Sequence, residues 1–172
     1  ASAADVVSEY RSLLPRVFGR PRPFYRRALA AKYDPGPLER ALTEYFGNVT
    51  LGRLQKVVIP ALRVDGEPSS THHFLNERAW RPAVFSNLPA VKGVLPDLNL
   101  TAVDAALRSS AAPTFFPVHQ GYADGGVWAN NPAMVAFGKA LLHLKPLRRR
   151  DVKILSIGTG HWTRHVKNAG DL

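Results

Sequence analysis

One carboxylate in this sequence stands where a general base would. Asp124 lies in the stretch TFFPVHQGYADGGVWANNPA (114–133), with Gly125 and Gly126 directly behind it. A carboxylate so placed can take the proton of a serine hydroxyl and turn that serine into a nucleophile. The two glycines let the chain turn sharply with positive φ and let another backbone or a substrate come close. Asp-Gly is also among the commonest turn dipeptides, so these three residues alone favour a surface turn. Asn131 fits a helix cap before Pro132, whereas Asn130 is a candidate for holding the loop around Asp124. Thr159, between Gly158 and Gly160, is a second candidate for that neighbourhood, although a strand-to-loop turn explains it more simply. Phe115, Phe116 and Trp128 would serve as core or as the apolar wall of a pocket.

Other reactive groups assemble less well. His161 and His165 are four apart and would share a helix face, but a zinc site needs a third ligand and an orienting partner, and none can be assigned. His72 and His73 alternate faces in a strand, which separates them. His119 precedes Asp124 by five residues and invites a triad, yet the sequence has no complete Gly-x-Ser-x-Gly elbow to supply its nucleophile. Ser156 has Gly158 two residues after it but Ile154 two before, so it carries half of that pattern. The absence of cysteine excludes disulfides, thiol catalysis and Cys-ligated zinc. SIGTG has neither a lysine nor GxGxxG spacing, so it is not a phosphate loop. No metal and no cofactor are expected.

Such residues need elements to hold them. Ser2 three residues before Asp5 forms a capping box, followed by apolar Val6, Tyr10, Leu13 and Leu14, which predicts an amphipathic helix. GRPRPFYRRALAAKY reads as a basic surface connection. DPGPLERALTEYFGN predicts a helix capped by Asp34 and ended by Gly47, with Leu38, Ala41, Leu42, Tyr45 and Phe46 on one face. KVVIPALRV (56–64) suits a buried strand in which Pro60 weakens the ladder or marks a bulge. THHFLNE and PAVFSN are shorter strand candidates. Thr101 and Asp104 open a further helix that Pro113 must end. A short strand then ends at Asp124, and a helix after Asn131 carries Met134, Phe137, Leu141 and Leu144 as a stripe. DVKILSIGTG closes as a strand and a glycine turn. Helices alternating with buried strands predict an α/β fold with a sheet that is at least partly parallel.

At 172 residues, one domain is the default. Hydrophobic residues at 45% and charged residues at 21% are ordinary for a globular chain, and no apolar run approaches the ~18 residues that cross a bilayer. No signal peptide is visible, so a soluble cytoplasmic or peripheral membrane protein is expected, with the compartment open. Lys and Arg number 23 against 13 Asp and Glu, for a net charge of +10. Arg11, Arg16, Arg20, Arg22, Arg26, Arg27 and Lys32 follow one another without an intervening acid. Residues 11–32 therefore suit an anionic membrane surface or a merely solvated face; nucleic acid is the disfavoured partner, although Phe18, Phe24 and Tyr25 are interleaved there.

Three strings in register give more than any one of them. SSAAPTFFPV (109–118), YADGGVWANNPA (122–133) and LSIGTG (155–160), in this order and spacing, resemble the patatin-like phospholipase family, and KYDPGPLERALTEYFG and VVIPA resemble its region after the nucleophile helix. The resemblance implies a lipid acyl hydrolase with a serine–aspartate dyad and no catalytic histidine, acting on phospholipid or another acyl lipid. It implies that Asp124 is the base, within a motif of Asp124, Gly125 and Gly126. The family's Gly-x-Ser-x-Gly elbow and glycine-rich oxyanion loop have no counterpart here, so no nucleophile can be named. Residues 1–172 are thus expected to form a single partial patatin-like domain, incomplete at its amino-terminal side, with an exposed sheet edge. Loss of a nucleophile costs on the order of a million-fold in turnover, so the chain by itself is expected to be inactive. The alternative is a non-catalytic basic fragment that binds lipid, nucleic acid or a partner.

Overall fold

The computed structural model describes residues 2–23, 30–65, 80–91, 96–144 and 146–158. Helix α1 (Ala3–Phe18) begins at the anticipated capping box: Ser2 Oγ accepts from the Asp5 N–H at 3.2 Å and Asp5 accepts from the Ser2 N–H at 2.6 Å. In α2 (Gly36–Phe46) the N-cap is Pro35, one residue later than expected. Asp34 still satisfies a first-turn donor, accepting from the Gly36 N–H at 2.8 Å, and Gly47 ends the helix at φ +54°. Helix α3 (Ala102–Ser109) is capped by Thr101, whose hydroxyl accepts from the Asp104 N–H at 3.0 Å, and it stops well short of Pro113.

Strands β1 (Val58–Arg63), β2 (Arg81–Ser86) and β3 (Tyr122–Asp124) form one sheet in the order β2-β1-β3. Both ladders are antiparallel: β1 meets β2 from Val58↔Ser86 to Arg63↔Arg81, and meets β3 from Ala61↔Asp124 to Arg63↔Tyr122. The expected parallel pairing is therefore not found among the described residues. Part of that expectation rested on DVKILSIGTG. Residues 152–158 form no ladder with any described strand, and Leu155 and Ile157 are 84% and 86% exposed. β-Branched residues favour extended backbone, but a ladder also requires a neighbouring edge. THHFLNE lies outside the described residues.

Pro60 sits in the central strand without breaking it. Its carbonyl faces the β3 side, where it accepts a hydroxyl from α3, and a strand residue's N–H and C=O point the same way. The missing N–H therefore faces a position just beyond the last β1–β3 pair, where no ladder bond is lost.

The core lies where α3 crosses β1. Leu51, Ala61, Phe85 and Ala105 are buried together, with Leu54, Val57, Ile59, Ala83, Leu100 and Tyr122 packed around them. Asn87 fastens the chain entering β1: its amide donates to the carbonyls of Leu51, Leu54 and Gln55, and its Oδ1 accepts from the Val57 N–H. A second cluster joins Val17 of α1, Tyr33 and Phe116, with Leu38 of α2 against it. Lys32 and Tyr33 N–H groups donate to the carbonyls of Thr114 and Phe115, which fixes the end of the basic segment to the loop before β3.

After β3 come a single helical turn, α4 (Gly126–Ala129), and then α5 (Ala133–His143). The predicted apolar stripe of α5 is not a core face. Met134 is 70% exposed, and the buried residue is His143, whose Nδ1 lies 2.6 Å from the Pro89 carbonyl.

Candidate active site

Asp124 closes a strand of only three residues, too short to hold a side chain steady by its own ladder. Three further contacts locate it. The Asp124 N–H donates to the Ala111 carbonyl at 3.0 Å, and the Gly125 N–H donates to the Ser109 carbonyl at 3.2 Å. The Ser109 hydroxyl in turn donates to the Pro60 carbonyl at 2.7 Å. The end of α3, the middle of β1 and the end of β3 thus share one hydrogen-bonded junction, with Asp124 at its exit.

The first glycine of the motif serves a purpose other than the predicted turn. Gly125 has φ −63° and ψ −24°, ordinary helical values, and Gly126 is not at positive φ either. A Cβ on Gly125 would fall 2.2 Å from the Pro60 oxygen and 2.6 Å from its carbonyl carbon. Glycine is required because two backbones nearly touch. Gly125 also begins α4, its carbonyl accepting from the N–H groups of Trp128 and Ala129.

Gly126 orients the carboxylate. Its N–H donates to Asp124 Oδ1 at 2.6 Å, a short charge-assisted bond, and among the described residues nothing donates to Oδ2. One oxygen is held by backbone while the other can accept a hydroxyl proton. Asn130 belongs to the same corner: a Cβ on Gly126 would lie 3.0 Å from Asp124 Oδ1 and 3.7 Å from Asn130 Oδ1. Asn131 accepts from the Ala133 N–H at 3.1 Å and so satisfies the first donor of α5, but the N-cap is Pro132, one residue later than the sequence suggests. Trp128 is tied to the sheet by its indole N–H, which donates to the Ala61 carbonyl at 2.8 Å.

Beside this corner a groove of about 480 Å³ runs between Val58, the start of α5 at Asn130–Ala133 and the extended segment Leu155–Gly158, with Ser156 on its wall. Its lining is mixed, with Val58, Ala133, Ala136, Leu155 and Ile157 beside Asn130, Asn131 and Ser156. Thr159, His161, His165, His72 and His73 lie outside the described residues. Among those described, no three His, Asp or Glu side chains gather as a metal site, and no helix is long and apolar enough to cross a membrane.

His119 is directed elsewhere. Its Nε2 stands 3.5 Å from Asp104 Oδ1 at the start of α3, roughly 7 Å of helix rise away from Ser109, where the Asp124 junction is made. Asp104 also accepts from Thr101 and from Gln120, and Gln120 accepts from Arg108. Burial raises the Asp104 pKa, but these hydrogen bonds, with the nearby Arg108 charge, outweigh it and leave the carboxyl below its usual value. The triad reading of His119 therefore has no geometric support. Pro60, Ser109 and Trp128 are the positioning residues that the sequence did not mark. Their contacts span 49 and 67 positions of sequence, so no local signal pointed to them.

Comparison with known proteins places most of the chain in one family. A family model described as patatin-like phospholipase matches residues 3–137. The chain belongs to the patatin-like phospholipase family. Among its curated relatives, a cGAMP-activated phospholipase of Pseudomonas aeruginosa is 31% identical over 152 residues, covering 84% of this chain and 41% of the relative. Patatin-like protein 1 of Arabidopsis thaliana is 30% identical over 197 residues, covering 96% of this chain and 44% of the relative. A cGAMP-activated phospholipase of Vibrio cholerae is 31% identical, covering 84% and 40%. This patatin-like chain thus spans about two fifths of the length of these relatives. At the level of the family, they support lipid hydrolysis.

Proposed function

We propose that this patatin-like chain carries the base half of a serine lipid acyl hydrolase, with Asp124 accepting the proton of a serine that attacks the ester of a phospholipid or other acyl lipid. The observation that carries this reading is the held carboxylate: Oδ1 fixed by the Gly126 N–H, Oδ2 without a donor, and the whole corner seated on Pro60. A rigidly placed base of this kind contributes about 10²–10⁴-fold to hydrolysis. The apolar part of the groove beside Asn130, at Val58, Ala133, Ala136, Leu155 and Ile157, would accept the acyl chain. Asn130 helps to hold the loop, and Thr159 is a supporting residue by the same reading. The 172 residues hold no Gly-x-Ser-x-Gly, so by themselves they are inactive.

Two measurements test this. The purified chain is expected to release no fatty acid from phospholipid vesicles above background; robust turnover abolished by Asp124→Asn would overturn the inactivity. Joined to an elbow-bearing segment from a patatin-like relative, the chain is expected to hydrolyse a chromogenic ester and to lose at least 10²-fold on Asp124→Asn. Unchanged turnover in that variant would remove Asp124 from the mechanism.

A second reading, binding without catalysis, is favoured by α1. Val6, Val7 and Tyr10 are 56%, 51% and 62% exposed, and Arg11 stands one turn along from Val7, so the helix presents apolar and basic groups suited to an anionic membrane surface. Flotation with vesicles containing phosphatidylserine tests it, and equal recovery with neutral vesicles would dismiss the electrostatic part. Nucleic acid remains the disfavoured partner.

A further inference from the structure

On the side of the molecule formed by α1 and α2, a cleft of about 350 Å³ is lined by Arg16, Arg20, Arg40 and Asp34, with Pro15, Val17 and Pro37 as apolar parts of its wall. Three arginines and one aspartate therefore share its lining. The arginines come from three places in the chain: the last turn of α1, the segment after Gly19, and the second turn of α2.

Among the described residues, the existing ion pairs leave two of these three arginines without a bonded carboxylate. Arg16 is already paired with Glu44 at 2.7 Å. Asp34 is engaged by Arg22 at 3.2 Å and by the Gly36 N–H at 2.8 Å. Among the described residues, no carboxylate is hydrogen-bonded to Arg20 or Arg40. The start of α2 offers little to an anion, because Pro35 and Pro37 have no N–H and that of Gly36 is already taken. Any anion held here is held by arginine side chains, whose planar forks match the oxygens of a phosphate. The volume exceeds what a bare ion fills and lies at the lower end of small-molecule sites, and the apolar wall gives an organic group a place to rest.

We infer that this cleft is a binding site for a phosphate ester, held by Arg20 and Arg40 beside the Glu44-paired Arg16 and separate from the Asp124 corner. The phosphate belongs either to a lipid headgroup or to a soluble ester. The inference does not rest on Asp124 being a catalytic base.

The test is titration of the full 172-residue chain with glycerol 3-phosphate, followed by calorimetry or NMR shifts, with glycerol as the uncharged control. Saturable binding is expected, weakened at least tenfold by Arg40→Gln and by Arg20→Gln, and unchanged by Arg53→Gln, which removes the same charge elsewhere. Arg40→Lys keeps the charge but loses the fork, so it is expected to fall between wild type and Arg40→Gln. Both glutamine variants lie at exposed positions, and melting temperatures within a few degrees of wild type show that they fold. Co-sedimentation with phosphatidylcholine vesicles containing phosphatidic acid identifies the source. If both arms weaken together in the variants, or the vesicle arm alone does, a lipid headgroup is the ligand. If only glycerol 3-phosphate binding falls, the ligand is soluble. Absence of saturable binding to either probe, or equal weakening by Arg53→Gln, overturns the inference.

Discussion

Replacing Gly125 by alanine tests the central geometric claim, that this glycine is a spacer between two backbones. The added methyl would sit 2.2 Å from the Pro60 oxygen, where ordinary contact begins near 3.4 Å, so β1 and the start of α4 must separate by about 1 Å. Both clashing atoms are backbone, and the Ala61↔Asp124 pair and the Ser109 hydroxyl bond lie on either side, so little can yield without losing a bond. Overpacking of this kind costs about 2–3 kcal/mol. The helical φ of Gly125 lets alanine recover about 0.5–1 kcal/mol of unfolded-state entropy. The net loss is about 1–2.5 kcal/mol, or roughly 3–8 °C in Tm for a chain of this size. Gly138, within α5 and with no atom inside 4 Å of where a Cβ would stand, is the control: alanine there should raise Tm by about 2 °C. Gly126→Ala should fall between them, because its nearest neighbour is the movable Asp124 carboxylate at 3.0 Å. Thermal melts followed by circular dichroism read all three. If Gly125→Ala melts at or above Gly138→Ala, the close-approach argument is wrong.

Three other outcomes follow from single contacts. Trp128→Phe removes the indole bond to the Ala61 carbonyl and should lower stability by about 1 kcal/mol in urea unfolding; no change would show that water replaces it. Asn87→Ala strips partners from the Leu51, Leu54 and Gln55 carbonyls and the Val57 N–H, for a loss of about 2–3 kcal/mol. Asn87→Asp should be worse, since it points a negative charge at the same carbonyls, and a milder effect would contradict the network. Asp104 has a lowered folded pKa, so its stabilisation is present above about pH 4 and lost as pH falls through the folded value. The stability gap between wild type and Asp104→Asn should accordingly be widest above about pH 5 and close on further acidification. A gap constant with pH would show that the carboxylate charge is irrelevant.

Local signals carried far in this sequence, and pairing signals did not. Ser2, Thr101, Asn131 and Gly47 act at helix ends as their types require, because a cap depends on a side chain and a backbone within a few residues of each other. The strands around Pro60, in PAVFSN and before Asp124 were also legible from composition. Their direction was not: whether β2 and β3 run along or against β1 depends on the path between them, which β-propensity does not encode. Residues 152–158 show the same limit, with strand-like residues and no described edge to join. At the site, Asp124 and Asn130 were visible in their motif, whereas Ser109 and Pro60 were not. They meet across 49 positions of sequence, and nothing local marks such a contact.

The junction at Asp124 also determines where the chain can vary. Ala111 and Asp124 are pinned together by a backbone bond, so the residues between them form a closed excursion whose two ends keep their places. Within it, Thr114 and Phe115 are tied to Lys32 and Tyr33, and His119 to Tyr122, which leaves Pro117 and Val118 as the exposed stretch least bound to anything else. Closure entropy grows so slowly with length that doubling such a loop costs only about 0.6 kcal/mol. New residues inserted there would reshape the exposed surface between α3 and β3 while the Asp124 carboxylate stayed where it is. A lineage, or an engineer, thus has at Pro117–Val118 a place to lengthen the surface that is mechanically uncoupled from the Asp124 corner.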